Sequence, residues 1–175
     1  MSKAFGSIRQ IGYVVKDIEQ AMNHWSKVLA VGPWFYRADA TPTIFTYYGE
    51  SAPPPKISIA IANSGDMQIE LIQQHDQANS LYRDSLNASG ECAQHIAYWT
   101  EDEFDAKRTH LLKMGYQEGH AGQMGQRGRF SYLIHKELPS AVIEISELRG
   151  GKAEYFRKVA SAAQEWDGTT SIIRV

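Results

Sequence analysis

Cysteine is almost missing from this chain of 175 residues: Cys92 stands alone, which excludes an internal disulfide and a thiolate metal cluster. Prolines number six, and three of them form the run Pro53-Pro54-Pro55. That run must be loop, because a residue without an N–H cannot pair inside a sheet. Lysine and arginine (18) do not outnumber aspartate and glutamate (20), so no basic excess points to nucleic acid or to an anionic membrane surface. No apolar run approaches a membrane span, and "MSKAFGSIRQ" lacks the core of a signal peptide, so a cytoplasmic protein is expected. What remains, at 43% hydrophobic and 22% charged residues, reads as one ordinary globule large enough to bury a core.

The chain does contain a repeat. "IRQIGYVVKD" (Ile8–Asp17) and "AQHIAYWTED" (Ala93–Asp102) align over Gln10/His95, Ile11/Ile96, Gly12/Ala97, Tyr13/Tyr98 and Asp17/Asp102. Self-similarity at a fixed offset constrains architecture before any local reading does. After the first copy, Asp17 with Gln20 forms a capping box. The helical spacing of Ile18, Ala21, Met22, Trp25, Val28 and Leu29 then predicts a helix to about Leu29. Strands are predicted at Trp34–Arg37, Thr43–Tyr48, Ile57–Ile61 and Met67–Gln73. The second copy repeats the order, with strand His95–Thr100, helix Asp102–Met114, and strands Tyr116–Gly119, Phe130–His135 and Ala141–Ser146. Between the halves, Ser80–Leu86 reads as a short helix. Lys152–Trp166 reads as a final helix with Ala153, Phe156, Val159, Ala160 and Ala163 on one face, and "SIIRV" as a closing edge strand. The expected organisation is a first βαβββ module (1–75), a connector (76–92), a second module (93–148), and a C-terminal helix and tail (149–175), all in one structural domain.

Glycine recurs every third residue at Gly119, Gly122, Gly125 and Gly128. Three proline-free triplets are too few for a collagen helix, so the stretch is expected to be a mobile loop. Arg127 and Arg129 within it read either as solvated charge or as a clamp for an anionic substrate, since guanidinium recognises carboxylates and phosphates.

The last strand of each half places an acid among aliphatics: Glu70 in "MQIELIQ" and Glu144 in "AVIEISE". Strand alternation sets Ile11 and Tyr13 opposite Gln10, and Ile143 and Ile145 opposite Glu144. Gln10, Glu70, His95 and Glu144 then share one face, with Gly12 and Ala97 leaving room above it. One reading is the solvated face of a one-sided sheet. The other is a divalent ion site for Zn²⁺, Ni²⁺, Co²⁺ or Mn²⁺, with one imidazole nitrogen and three oxygens.

The repeated strand–helix–strands module, with a metal-type residue on its first and last strand, resembles the vicinal oxygen chelate superfamily over about Ile8–Leu148. That group contains glyoxalase I, methylmalonyl-CoA epimerase, extradiol dioxygenases and bleomycin- and fosfomycin-resistance proteins. The resemblance implies an α+β fold: two tandem βαβββ modules forming an incompletely closed eight-stranded sheet around a metal cup, often in a homodimer. It implies Gln10, Glu70, His95 and Glu144 as ligands of one divalent ion, with Glu144 able to leave the metal and act as base. "GECAQHIAYWTEDEFDA" and "LIHKELPSAVIEISEL" resemble stretches of methylmalonyl-CoA epimerase, whereas the Gln-Glu-His-Glu set resembles glyoxalase I. Val14 and Gln74 stand where glyoxalase I places its glutathione-contacting arginine and asparagine, which argues against glutathione. One histidine among the four argues against the two-His iron site of an extradiol dioxygenase.

The expected function is therefore a metal-dependent isomerase or epimerase, or a glyoxalase-like lyase. It would move a proton next to a carbonyl through a metal-stabilised enolate or enediolate. Arg127, Arg129 and Trp99 are its candidate substrate-binding residues, and the substrate would be a small molecule such as a carboxylate or CoA ester. In an epimerase a separate acid serves as base, for which Glu50 is a candidate. The competing class is a non-catalytic small-molecule binding or resistance protein on the same fold.

Overall fold

Asp17 caps the first helix, its side chain accepting a hydrogen bond from the Gln20 N–H at 2.9 Å. In a computed structural model, which describes residues 2–175, this gives β1 (Gln10–Val14) followed by α1 (Ile18–Leu29). Then come β2 (Trp34–Arg37), β3 (Ile44–Tyr47), β4 (Glu50–Ser51), β5 (Ile57–Ser64) and β6 (Met67–Gln74). After α2 (Leu81–Ser89), the second half supplies β7 (Cys92–Thr100), α3 (Phe104–Lys113), β8 (Gln117–Gln123), β9 (Arg129–His135) and β10 (Leu138–Glu147). The chain closes with α4 (Lys152–Glu165) and β11 (Ile172–Arg174).

All the strands join one sheet in the order β11-β2-β5-β6-β1-β7-β10-β9-β8-β3-β4. Its central eight strands are the two modules, β2-β5-β6-β1 and β7-β10-β9-β8, joined through the antiparallel pair β1–β7. The sheet is not closed among the described residues. Three further strands lengthen its edges. The predicted closing strand pairs in parallel with β2, Ile172 opposite Trp34. The strand predicted within the first half at Thr43–Tyr48 forms, but it pairs across the repeat with β8, Ile44 opposite Gln123 and Tyr47 opposite His120. Alternation records which face a residue takes; it does not record which neighbour completes the ladder.

The two sheet faces bury different things. On the convex face, α1 packs Ile18 and Met22 against Trp34, Ile69 and Leu71, while α3 packs Phe104 and Leu111 against Leu133 and Ile145. The concave face receives α2 at one end, where Leu81 and Tyr82 meet Val14, Ile72, Tyr132 and Val142. Its other flank is covered by α4, through Val159 against Phe35 and Ile61. Buried His120 ties α2 to the sheet by accepting the Leu81 N–H on Nδ1 at 3.2 Å. Burial pushes this imidazole down to about 3, so it is a neutral acceptor.

The glycine-rich stretch is not a mobile loop. Gly119 and Gly122 lie in β8, Arg129 begins β9, and only residues 124–128 form the connecting turn.

Candidate metal centre

Register brings the four polar residues to one face. Gln10 pairs with Gln68 and Gly12 with Glu70 across β1–β6; Gly12 pairs with His95 across β1–β7; Glu144 pairs with Ala97 across β7–β10. The antiparallel joint crosses the equivalent positions of the repeat, so each module's small residue faces the other's polar one. Gly12 lies opposite His95, and Ala97 opposite Gln10. The space above Gly12 is filled: a Cβ there would come within 1.8 Å of His95 Cε1.

His95 Nε2 lies 3.2 Å from a Glu144 oxygen and 3.4 Å from a Glu70 oxygen. All three residues are buried, and one ligand-type atom from each lies within 4.8 Å of the others. Neither carboxylate contact has hydrogen-bond alignment, which leaves Nε2 a fully buried atom without a hydrogen-bond partner among the described residues. Nδ1 is bonded to Gln94 Oε1 at 2.8 Å; the amide oxygen can only accept, so Nδ1 carries a hydrogen and Nε2 is left to take a second proton or a cation. A ring held by its outer N–H with its inner nitrogen between carboxylates fits a metal ligand. Gln10 donates its Nε2 to Gln68 Oε1 at 2.8 Å, so its own amide oxygen is the atom a cation can use.

Charge in the cluster is tightly shared. Burial would lower His95, but the carboxylates of Glu144 and Glu70 outweigh it and push the ring up to about 9. A proton and a divalent cation would thus compete for Nε2, and metal entry would displace the proton. Burial acts to raise Glu144, yet His95 and then Lys152 and Ser146 pull it down to about 2. Glu70 goes the other way, raised chiefly by burial.

Gln10, Glu70 and Glu144 open onto a cavity of about 540 Å³, walled by Tyr82, Phe130 and Tyr132 on one side and by Tyr155 and Phe156 of α4 on the other. Of the residues expected to bind substrate, Arg127 lines this cavity. Arg129 does not line it; its guanidinium meets Asp105 at 3.0 Å and Glu147 at 2.9 Å and lies over the Phe104 ring. Trp99 packs behind the wall, 4.5 Å from the Phe156 ring centroid. Glu50 is exposed on β4 at the sheet edge, away from the cavity lining. Gln94, Tyr82, Tyr132 and Lys152 complete the site and were not singled out from sequence. A glutamine directly before the candidate histidine was the one available signal, since a ligating imidazole needs a hydrogen-bond acceptor.

A duplicated strand–helix–strand module, folded around one imidazole, two carboxylates and an amide, defines a class of cup-shaped α+β proteins. The chain belongs to the Glyoxalase/Bleomycin resistance protein/Dioxygenase superfamily, whose family model matches residues 9–132. The match ends before β10 and α4, so Glu144 and Lys152 are placed by the structure. Methylmalonyl-CoA epimerase from Mycobacterium tuberculosis is similar in structure, with TM-score 0.59 at 17% identity, covering 88% of this chain and 96% of that one. A hypothetical protein from Bacillus halodurans C-125 gives TM-score 0.57 at 15% identity, covering 82% and 95%. A Streptomyces coelicolor methylmalonyl-CoA epimerase variant in complex with 2-nitronate-propionyl-CoA gives 0.51 at 17%, covering 82% and 97%. At these identities the likeness is one of fold. No curated protein matches the chain in sequence. Among the described residues no helix is long and apolar enough to cross a membrane.

Proposed function

We propose that this protein is a metal-dependent isomerase or epimerase, or a glyoxalase-like lyase, that moves a proton on the carbon next to a carbonyl. The observation that carries this is His95 Nε2, fully buried and, among the described residues, unpartnered between Glu70 and Glu144, whose side chains line the cavity. Gln10, Glu70, His95 and Glu144 would hold one Zn²⁺, Ni²⁺, Co²⁺ or Mn²⁺ ion. Bound there, the ion supplies a Lewis acid for charge that develops on the substrate oxygen.

The chain's own groups supply the rest. Gln94 holds the imidazole in its tautomer, and the aromatic wall excludes water and strengthens electrostatics in the cup. A Glu144 oxygen would take the proton as base, with Arg127 binding the substrate. One observation favours a second arrangement with Glu70 as base: burial raises Glu70, whereas His95 and Lys152 hold Glu144 down. Glutathione finds little to bind. Val14 is buried, and Gln74 ties down the loop before α2, bonding Asp76, Ala78 and Ser80. Arg129, tied to Asp105 and Glu147, would orient α3 against the sheet, and Trp99 would support the cavity wall through Phe156. We read the working unit as a cytoplasmic homodimer.

The test is solvent exchange. Metal-replete protein is incubated in D₂O with a panel of short carbonyl compounds, and α-proton exchange is followed by NMR. Wild type should catalyse exchange in at least one compound. Replacing the base by Glu144→Gln should slow it about 10²–10⁴-fold while the amide oxygen retains much of the metal, with Glu70→Gln affected less. The opposite ranking would make Glu70 the base. A metal-loaded protein that binds compounds yet exchanges none of them would be a binding protein instead.

A further inference from the structure

The cavity has a second pole, and one of the two residues that build it, Lys152, lies beyond the span of the family model. Lys152 opens α4 and lines the cavity, its Nζ donating to Ser146 Oγ at 2.7 Å, two residues along β10 from Glu144. Arg127 lines it from the β8–β9 turn, with its guanidinium 5.3 Å from the Tyr155 ring centroid. Among the described residues neither cation makes an ion pair within 4 Å, whereas Arg108 and Arg129 are both engaged by carboxylates.

Their placement is fixed by backbone. Arg149 N–H donates to Arg127 C=O at 3.1 Å. A Cβ on Gly128, at φ +108°, would lie 2.3 Å from Glu147 O, and one on Gly150, at φ +51°, would lie 2.2 Å from Gln126 O. The turn is therefore pressed onto the segment leading into α4, and the two cations share one rigid support. Arg127 repels Lys152, and without a metal ion Glu144, Glu70 and Glu147 outweigh that repulsion. Holding like charges together on one support is unfavourable unless anions balance them. A divalent ion would cancel Glu70 and Glu144. The cavity lining would then hold three cationic side chains, Arg37, Arg127 and Lys152, against one carboxylate, Asp39, which already accepts the Thr41 N–H at 3.0 Å.

We propose that Lys152 and Arg127 form an anion subsite, and that the substrate is a short acid whose carboxylate or phosphate docks there while its carbonyl end meets the metal centre. Guanidinium and ammonium both suit such oxygens. The substrate class rests on the proton-transfer reading above; the subsite itself does not.

Calorimetry with malonate and its neutral diamide tests it, metal content being measured in every sample. For metal-loaded wild type, malonate should bind. Lys152→Met and Arg127→Met should each weaken malonate about 10- to 100-fold, the loss of one charge-assisted hydrogen bond, with the diamide and the metal content unchanged. Lys152→Arg should restore most of the affinity. Unchanged malonate affinity in both methionine variants overturns the proposal, as does an equal loss for the diamide, which would mark a structural role. Inorganic phosphate is the probe for metal-free protein: binding that is lost in Arg127→Met supports the subsite even if no metal binds. A wild type that takes up neither anion overturns it.

Discussion

Gly12 carries no side chain, and that absence seats His95. A Cβ would lie 1.8 Å from Cε1 and 2.4 Å from Nε2, so the imidazole occupies the volume where any other residue would begin. Gly12→Ala should destabilise the fold by about 1–3 kcal/mol, as overpacking does, and displace the ring from Glu70 and Glu144. Thermal unfolding and metal titration check both parts; unchanged metal affinity would show that the ring has other room. Gln94 acts from the outer side of the same imidazole. Gln94→Leu should weaken metal binding about 10- to 100-fold with the ligands intact, read by competition with a chromophoric chelator. That Gln10, Glu70, His95 and Glu144 share a face was legible in sequence because a polar residue at matched positions of two alternating strands can only face one way. Gln94 and Lys152 were not, because what makes them matter is an atom brought close from another part of the chain.

At the scale of elements, two arginines two residues apart have different fates. Arg127 sits in the turn without an ion pair among the described residues, its guanidinium over Tyr155, whereas Arg129 opens β9 and meets α3 through Asp105 and β10 through Glu147. Glycine spacing alone pointed to a loop there, but the ladder to β9 and the crossing strand β3 recruit residues 117–123 into the sheet. That pairing partner arrives from the other half of the repeat, which no local pattern records. The α3–β8 contact offers a pH test. Glu118 accepts from Arg108 Nη2 at 2.9 Å and from Ser131 Oγ. Burial acts to raise its carboxyl, but Arg108 and Ser131 outweigh it and hold it below 4.5. A group lowered on folding stabilises the protein above its unfolded value and loses that contribution as pH falls through the folded one. Glu118→Gln should therefore lower stability by about 1–2 kcal/mol at pH 7. The difference from wild type should shrink as the pH is lowered below 4.5. Urea unfolding at several pH values measures it, and a difference independent of pH would remove the charge from the account.

For the whole molecule, duplication builds the floor and later additions build the walls. The repeat supplies eight central strands and the polar face, and its order was readable from the sentence written twice around Gln10 and His95. The wall formed by α4 was readable as a helix with Phe156 and Val159 on one side, though not as a cover for the cup, since amphipathicity shows that a face is buried but not against what. The cavity and its cationic pole depend on that docking. The concave face is proposed to hold one divalent ion on His95 and its two carboxylates. This is tested most directly by metal titration of the purified chain with Zn²⁺, Ni²⁺, Co²⁺ and Mn²⁺ in turn, wild type beside His95→Ala. About one ion per chain is expected for at least one metal, with proton release on binding and a large loss of affinity in His95→Ala. A wild type that binds none of the four, or binds no better than His95→Ala, would contradict it.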